Sequence, residues 1–475
     1  MKLVFRAIFL LIVLISLISC DTNSNQTRTS YVQIEDVDLV SSGGQQQGKL
    51  LCPKTVNDVI VQLKEVHQAS SEEFPEMTMV GVLSFIKENN ITTITNLLNR
   101  LPVHYRNNFS LVEHTKGEGQ SSLKFPRIVL FGSDGTFLMN ISTKADDPKY
   151  DLLDCAELNE ENGTWEFSQF DFTGDQPKLH VNPPSCIRCH GDQPRPVWGT
   201  NMDWPGVFGD NEAAGPNGEA LSYRHALRMN EIKEGNAYSD RFEFLEWSDQ
   251  KLRSGGIRRI ANHAFGAELL VSNMAMGTAT ARGVFKRIEL HTQYRQMREA
   301  MLLLGYEHMV GNILSDKEKE YLKTLILDKG GKNGTLDELF LVLGIDTKEA
   351  FSLGTLAKEE KPKTDWSLGA GDLYEQVLLQ VLYDLSIDDR NIASLLKETP
   401  NTPGIFGCDH LGKNIKEVID FKMLHMHQLL GKDRYEVNKV YYSQDAENIK
   451  EKVFIPIYAK LAPYLKEKIQ VQNQA

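Results

Sequence analysis

The chain has 475 residues, of which 41% are hydrophobic and 24% charged, enough to bury a large core in two or three domains and too apolar for a disordered chain. A formal net charge of −12 argues against nucleic-acid binding. The single apolar run near membrane-spanning length is the N-terminal one, which excludes a multi-span membrane protein.

Lys2 and Arg6 form a positive start, and Ala7 to Ser19 follow as 13 nearly unbroken apolar residues. That pattern is a secretory signal peptide, residues 1–19, and is short for a membrane span. Leu17-Ile18-Ser19-Cys20 resembles the lipobox of bacterial lipoproteins, so Cys20 is expected to be the mature N-terminus and to carry lipid. Acyl chains contribute about 0.8 kcal/mol per buried CH₂, so a triacylated Cys20 would hold the protein at the membrane without a transmembrane helix. The competing readings are a plain cleaved signal and an N-terminal span. Residues 20–50 are polar, with a Ser-Ser-Gly-Gly-Gln-Gln-Gln stretch, and read as a flexible tether.

Residues 54–112 carry helical periodicity: Thr55 can cap a helix with Val59, Leu63 and Val66 on one face, and Ile91 to Leu101 forms a second apolar stripe ended by Pro102. From Pro126 the period changes. Ile128 to Phe131 and Thr136 to Ile141 read as strands around a Ser133-Asp134-Gly135 turn, and Trp165 to Phe172 reads as a third.

Six cysteines are present, and two of them lie in Cys186-Ile187-Arg188-Cys189-His190, a C-x-x-C-H motif. Two thiols three residues apart can add to the two vinyl groups of one haem, and the adjoining histidine can then ligate the iron. The motif thus implies one covalent haem c, with Cys186 and Cys189 as attachments and His190 as proximal ligand. Attachment of this kind occurs outside the cytoplasm, in agreement with the signal peptide. A thioredoxin-like pair would need the cysteines at a helix N-terminus after a buried strand, whereas Pro183-Pro184 precedes them here and no apolar run leads in. Structural zinc would need a second close ligand pair. A Cys186–Cys189 disulfide would be strained. Cys52, Cys155 and Cys408 remain, and their pairing is open.

The segment after the motif, with Arg195, Trp198 and Trp204, is too rich in Gly and Pro for helix and is expected to wrap a flat group. Trp Nε1–H, Arg188 and Arg195 are suitable donors to haem propionates; core packing of the tryptophans and solvated arginines are the plainer readings. With Leu101-Pro102, Phe125-Pro126-Arg127-Ile128, Cys186 to Gly191, Arg195 to Trp198 and Trp204 to Gly209, the stretch from about Leu97 to Gly209 resembles a family of bacterial cytochrome c-like proteins with one C-x-x-C-H, mostly uncharacterised. The resemblance implies a secreted or lipid-anchored monohaem protein and no particular reaction.

The distal ligand is open among Met202, His225, Met229, His263, Met274 and Met276. Met274 and Met276 lie on a predicted helix about 200° apart, so at most one can face an iron. Ala275, Gly277, Ala279, Ala281 and Gly283 make that helix thin, which suits close approach by a macrocycle or, more commonly, by another helix. Beyond Gly218 helical patterns cover 220–232, 241–252, 257–304, 316–327, 372–387, 415–430 and 449–469. His425 and His427, near Cys408 and His410, do not share a helix face, so a second metal site there is not expected.

The expected fold is mainly α with a small antiparallel β segment: an α+β region over 51–215 carries the haem motif in loop-rich chain, and a helical domain spans 216–470. The expected function is that of a membrane-anchored, extracytoplasmic, periplasm-facing monohaem c-type cytochrome transferring electrons to a redox partner protein. The alternatives are a haem-based ligand sensor or haem enzyme with an open distal site, and a structural haem in a cell-envelope interaction protein. No nucleic-acid partner is expected.

Overall fold

The computed structural model describes residues 74–102, 105–106, 109–115, 118–132, 135–191, 207–208, 223–246, 276, 279–350, 373–397 and 455–472. The signal segment, Cys20, the tether, Cys52, the helices expected at 54–66 and 415–430, Cys408, His410, His425 and His427 lie outside these residues.

Two short helices lead into the sheet. Thr78 accepts the Gly81 N–H and starts α1 (Met79–Glu88), which buries Met79, Val82, Phe85 and Ile86. Thr93 caps α2 (Ile94–Leu98) in the same way through Asn96. A six-stranded antiparallel sheet follows, with β1 (Phe109–Val112), β2 (Arg127–Leu130), β3 (Phe137–Ile141), β4 (Leu152–Asn159), β5 (Thr164–Asp171) and β6 (Lys178–Val181) paired in chain order. The expected antiparallel segment is thus present and twice as large. β2, β3 and β5 fall where the sequence places strands. β1 overturns the end of the helical reading over 54–112, and β4 and β6 were not expected either, because β6 is only four residues long and β4 (LLDCAELN) is built largely from helix-forming residue types.

The sheet is covered on both faces, and strand alternation sorts its side chains between two cores. Phe137, Met139, Ile141, Leu153, Cys155 and Phe170 point into a core shared with α1, α2, helix α4 (Tyr223–Lys233) and Phe242. Leu138, Ala156, Leu158, Trp165 and Phe167 point the other way, into a core shared with the helical run 279–289 and the helices beyond it. We refer to these as the first and second faces.

The helical run sits close on the second face. A Cβ on Gly283 would come within 2.9 Å of Leu158 Cδ1 and 3.0 Å of the Gly163 carbonyl oxygen. Gly163 turns the β4–β5 hairpin at φ 73°, and a Cβ there would stand 2.1 Å from the Gly283 carbonyl oxygen. The thin side of this helix at Gly283 therefore accommodates a β-hairpin, where the sequence suggested a macrocycle or another helix. Gly163→Ala meets both a left-handed backbone and a backbone clash, and is expected to lower the unfolding free energy by about 1–3 kcal/mol, measurable by urea denaturation.

The helical remainder comprises α5 (Tyr294–Val310), α6 (Asp316–Asp328), α7 (Leu336–Val342), α8 (Thr347–Ala350), α9 (Leu373–Asp388), α10 (Arg390–Lys397) and α11 (Ile455–Gln472). The single helix expected over 257–304 is interrupted at 290–293 within its described part. A capping box between Ser315 and Glu318 starts α6. Tyr294 donates to Asp384 at 2.7 Å, and Arg298 pairs with Asp384 and Asp388 at 2.8 Å, joining α5 to α9. Lys468 on α11 meets Glu299 at 3.2 Å and Asp389 at 2.8 Å. Among the described residues no helix is long and apolar enough to cross a membrane.

Candidate functional site

The C-x-x-C-H motif directly follows the last strand and is itself helical, as α3 (Pro184–His190). Pro183 is the N-cap and Pro184 the first helical residue, where a fixed φ and a missing N–H cost the helix nothing. Gly191 ends it at φ 84°, and the space where its Cβ would stand is open. Prolines that seemed to argue against a helix here in fact begin one, and the cysteines do occupy a helix start after a strand. That strand, however, is an exposed sheet edge.

On a helix the spacing i, i+3, i+4 places Cys186, Cys189 and His190 on one side, and all three are half-buried. Asn182, at φ 45°, fixes this helix to β5: its N–H donates to the Phe167 carbonyl at 2.6 Å, and its side-chain oxygen accepts the Phe167 N–H at 3.1 Å. The His190 imidazole then stacks on the Phe167 ring, with centroids 3.8 Å apart and planes 26° from parallel. Stacking occupies a ring face, whereas metal coordination uses a nitrogen lone pair in the ring plane, so the two are compatible.

Cys186 packs against the second-face core. Burial, reinforced by the nearby Asp154 carboxylate, pushes its thiol up to about 11. A redox-active C-x-x-C thiol needs the opposite, a lowered value that populates the thiolate. This shift, and no longer the neighbouring prolines, is what weighs against a thioredoxin-like role. Cys155 is buried on the first face, and burial pushes its thiol well up too.

A polar row crosses the second face beside Phe167. Register aligns Asn140 with Asp154, and Asp154 with Gln169. Gln169 Nε2 donates to Asp154 at 2.6 Å, and Arg127 Nε donates to Asn140 at 2.9 Å. Arg127 is 1% exposed; its Nη1 donates to the Glu118 carbonyl at 3.2 Å and stands 3.7 Å from Asp147, a carboxylate that also accepts from Ser142 at 2.7 Å. Arg188, a possible propionate donor on sequence grounds, is bound to Glu118, which also meets Lys149 at 3.1 Å.

Two distal-ligand candidates are on the wrong side of the sheet for a haem on the second face. Met229 belongs to the first-face core, and His225 stacks on Phe208 of that core with centroids 4.2 Å apart. Met276 is fully buried in the second-face core, the one Cys186 touches. So are Met297 and Met301 on α5, which the sequence reading passed over because they sit within an ordinary apolar helix stripe. Met202, His263, Met274, Arg195, Trp198 and Trp204 lie outside the described residues.

The chain is next described at Val207, which bridges to Val112 on β1, and at Phe208, whose N–H donates to the Leu111 carbonyl at 2.8 Å. Gly191 therefore follows the helix after β6, the last strand, whereas Val207 stands against β1, the first. Beside that bridge, Glu113 accepts from Arg224 at 2.6 and 2.8 Å and lies 2.6 Å from His225 Nε2. Burial pushes the Glu113 carboxyl up, but His225 and Arg224 outweigh it and hold it below the ordinary value. Among the described residues no three His, Cys, Asp or Glu side chains converge as a metal site. A haem would need less from the chain, since a porphyrin supplies four of the ligands and a single histidine can supply the fifth. Comparison with protein-family models, with curated proteins and with solved structures found no match for this chain.

Proposed function

We propose that the chain is a lipid-anchored, extracytoplasmic monohaem c-type cytochrome that transfers electrons. The observation that carries this reading is the shared side of α3: Cys186, Cys189 and His190 lie together, half-buried, with the imidazole braced on Phe167. Cys186 and Cys189 would hold the haem through two thioethers, each formed by adding S–H across one vinyl group with nothing released. His190 offers a ring nitrogen to the iron, and Phe167 holds the ring in place. A haem so bound supplies a one-electron couple at the iron. Met276 is the distal candidate on the matching face, and Arg195, Trp198 and Trp204 complete the proposed surroundings. Cys20 provides the membrane anchor through its lipid, and the excess of negative charge favours a basic redox partner on the periplasmic side.

The test is export of the full chain alongside a cytochrome maturation system, followed by denaturing electrophoresis with haem staining. The native and Cys155→Ala proteins are expected to stain, and the Cys186→Ala, Cys189→Ala double variant is expected to lose the stain entirely. An exported native protein that does not stain refutes the proposal. In the same strains, labelled fatty acid is expected in the native protein and absent from Cys20→Ala. A spectrum of the reduced protein that is inert to carbon monoxide marks a six-coordinate electron carrier, and rapid carbon monoxide binding marks a sensor or enzyme instead.

A further inference from the structure

Resting on the cytochrome reading, we infer that Arg127 anchors a carboxylate of the bound porphyrin through its Nη2 on the second face of the sheet. Two of the arginine's three nitrogens are already committed, Nε to Asn140 and Nη1 to the Glu118 carbonyl and the Asp147 carboxylate. Nη2 is buried and makes no hydrogen bond. Its nearest anion, Asp154, stands 3.6 Å away and is already engaged by Gln169 at 2.6 Å. A buried guanidinium N–H without an acceptor costs about 1–3 kcal/mol, so the site as described is one acceptor short.

The position of that donor matches the chemistry of the proposed ligand. Arg188 on α3 is bound to the Glu118 carboxylate while Arg127 Nη1 donates to the Glu118 carbonyl, and Asp154 lies on the strand next to Phe167, so the arginine stands beside the attachment helix. The same face carries an apolar row, Leu138, Ala156 and Phe167, packed in the second-face core, beside the polar row of Asn140, Asp154 and Gln169, so the guanidinium stands where apolar and polar surfaces meet. A porphyrin has the same division, an apolar body with carboxylates along one edge. Local charge is balanced before it binds: Arg127, Lys149 and Arg188 face Asp147, Asp154 and Glu118. Arginine suits this task because its fork can hold structural partners with two nitrogens and present the third to a carboxylate.

Removing Arg127 alone strands Asp147, so the informative variant is Arg127→Gln with Asp147→Asn, which deletes the buried pair together and spares the fold an uncompensated charge. Asp147→Asn alone is the control. Haem-loaded native and variant proteins are compared by resonance Raman spectroscopy in the propionate-bending region. The double variant is expected to keep its covalent haem and shift the propionate mode, and the control to leave the mode where it is. An unmoved mode in the double variant, or an equal shift in the control, overturns the assignment. Independently of any variant's folding, the native ferrous protein labelled with 15N-arginine is expected to show an Arg127 guanidinium proton close to a propionate methylene by nuclear Overhauser effect, and absence of that contact also overturns it. Exported native protein without haem would instead sink the cytochrome reading itself, an outcome that staining separates from these.

Discussion

Glu113→Ala is expected to destabilise the protein by about 3–5 kcal/mol, read as a fall in the urea midpoint at unchanged slope. The side chain is 3% exposed and gathers both Arg224 nitrogens and His225, so its loss leaves a partly buried guanidinium and a buried imidazole facing an empty site. Glu113→Gln keeps the volume and one acceptor and is expected to cost less, about 1–3 kcal/mol. Two buried carboxylates, in separate clusters, set an acid limit. Glu113 is held below its ordinary 4.5, and Asp147 below 3.8 where Ser142, the backbone and Arg127 outweigh its burial. Groups with depressed folded values stabilise fully above their unfolded values and lose that contribution as pH falls through the folded ones. Burial lowers His225 from 6.5, so below that pH the unfolded chain takes up its proton first and stability falls in the same direction. Stability is therefore expected to decline from about pH 6.5 downward and steeply below about 4.5, with a shallower acid limb in Glu113→Gln.

Phe167→Ala and Phe170→Ala are expected to cost similar stability, about 3–5 kcal/mol each, because both remove a buried aromatic ring from a packed face. Their other consequences should differ. Phe167 supports His190 on the second face, whereas Phe170 points into the first. In the haem-loaded protein Phe167→Ala is therefore expected to alter the iron's visible spectrum, and Phe170→Ala to leave it unchanged. Equal spectra in the two variants would mean that the stack does not hold the imidazole.

The motif at the candidate site was legible in the sequence, and its surroundings were not. The motif Cys186 to His190 is local, so spacing alone exposes it. The α+β character and helices such as α6 and α9 were readable from caps and periodicity. β4 was not, because both faces of the sheet are buried and the alternation of its apolar residues breaks at Cys155-Ala156, each belonging to a different core. The polar row was unreadable for a related reason. Arg127, Asn140, Asp154 and Gln169 sit on four separate strands, and nothing short of the pairing register brings them together. Likewise Phe167 is an ordinary strand aromatic until Asn182 folds α3 back onto it.

The sheet's strict meander also sets an order of events as the polypeptide emerges. Every hairpin closes on its immediate predecessor, so the six strands and the cysteine helix can be complete while the run at 279–289 is still about 100 residues behind, a delay of roughly 5–20 s at ordinary synthesis rates. Throughout that interval the surface later covered by Gly283 and its neighbours, with Leu158 and Trp165 on it, faces solvent. Any enzyme that must reach this surface meets it most openly before the C-terminal half has packed against it.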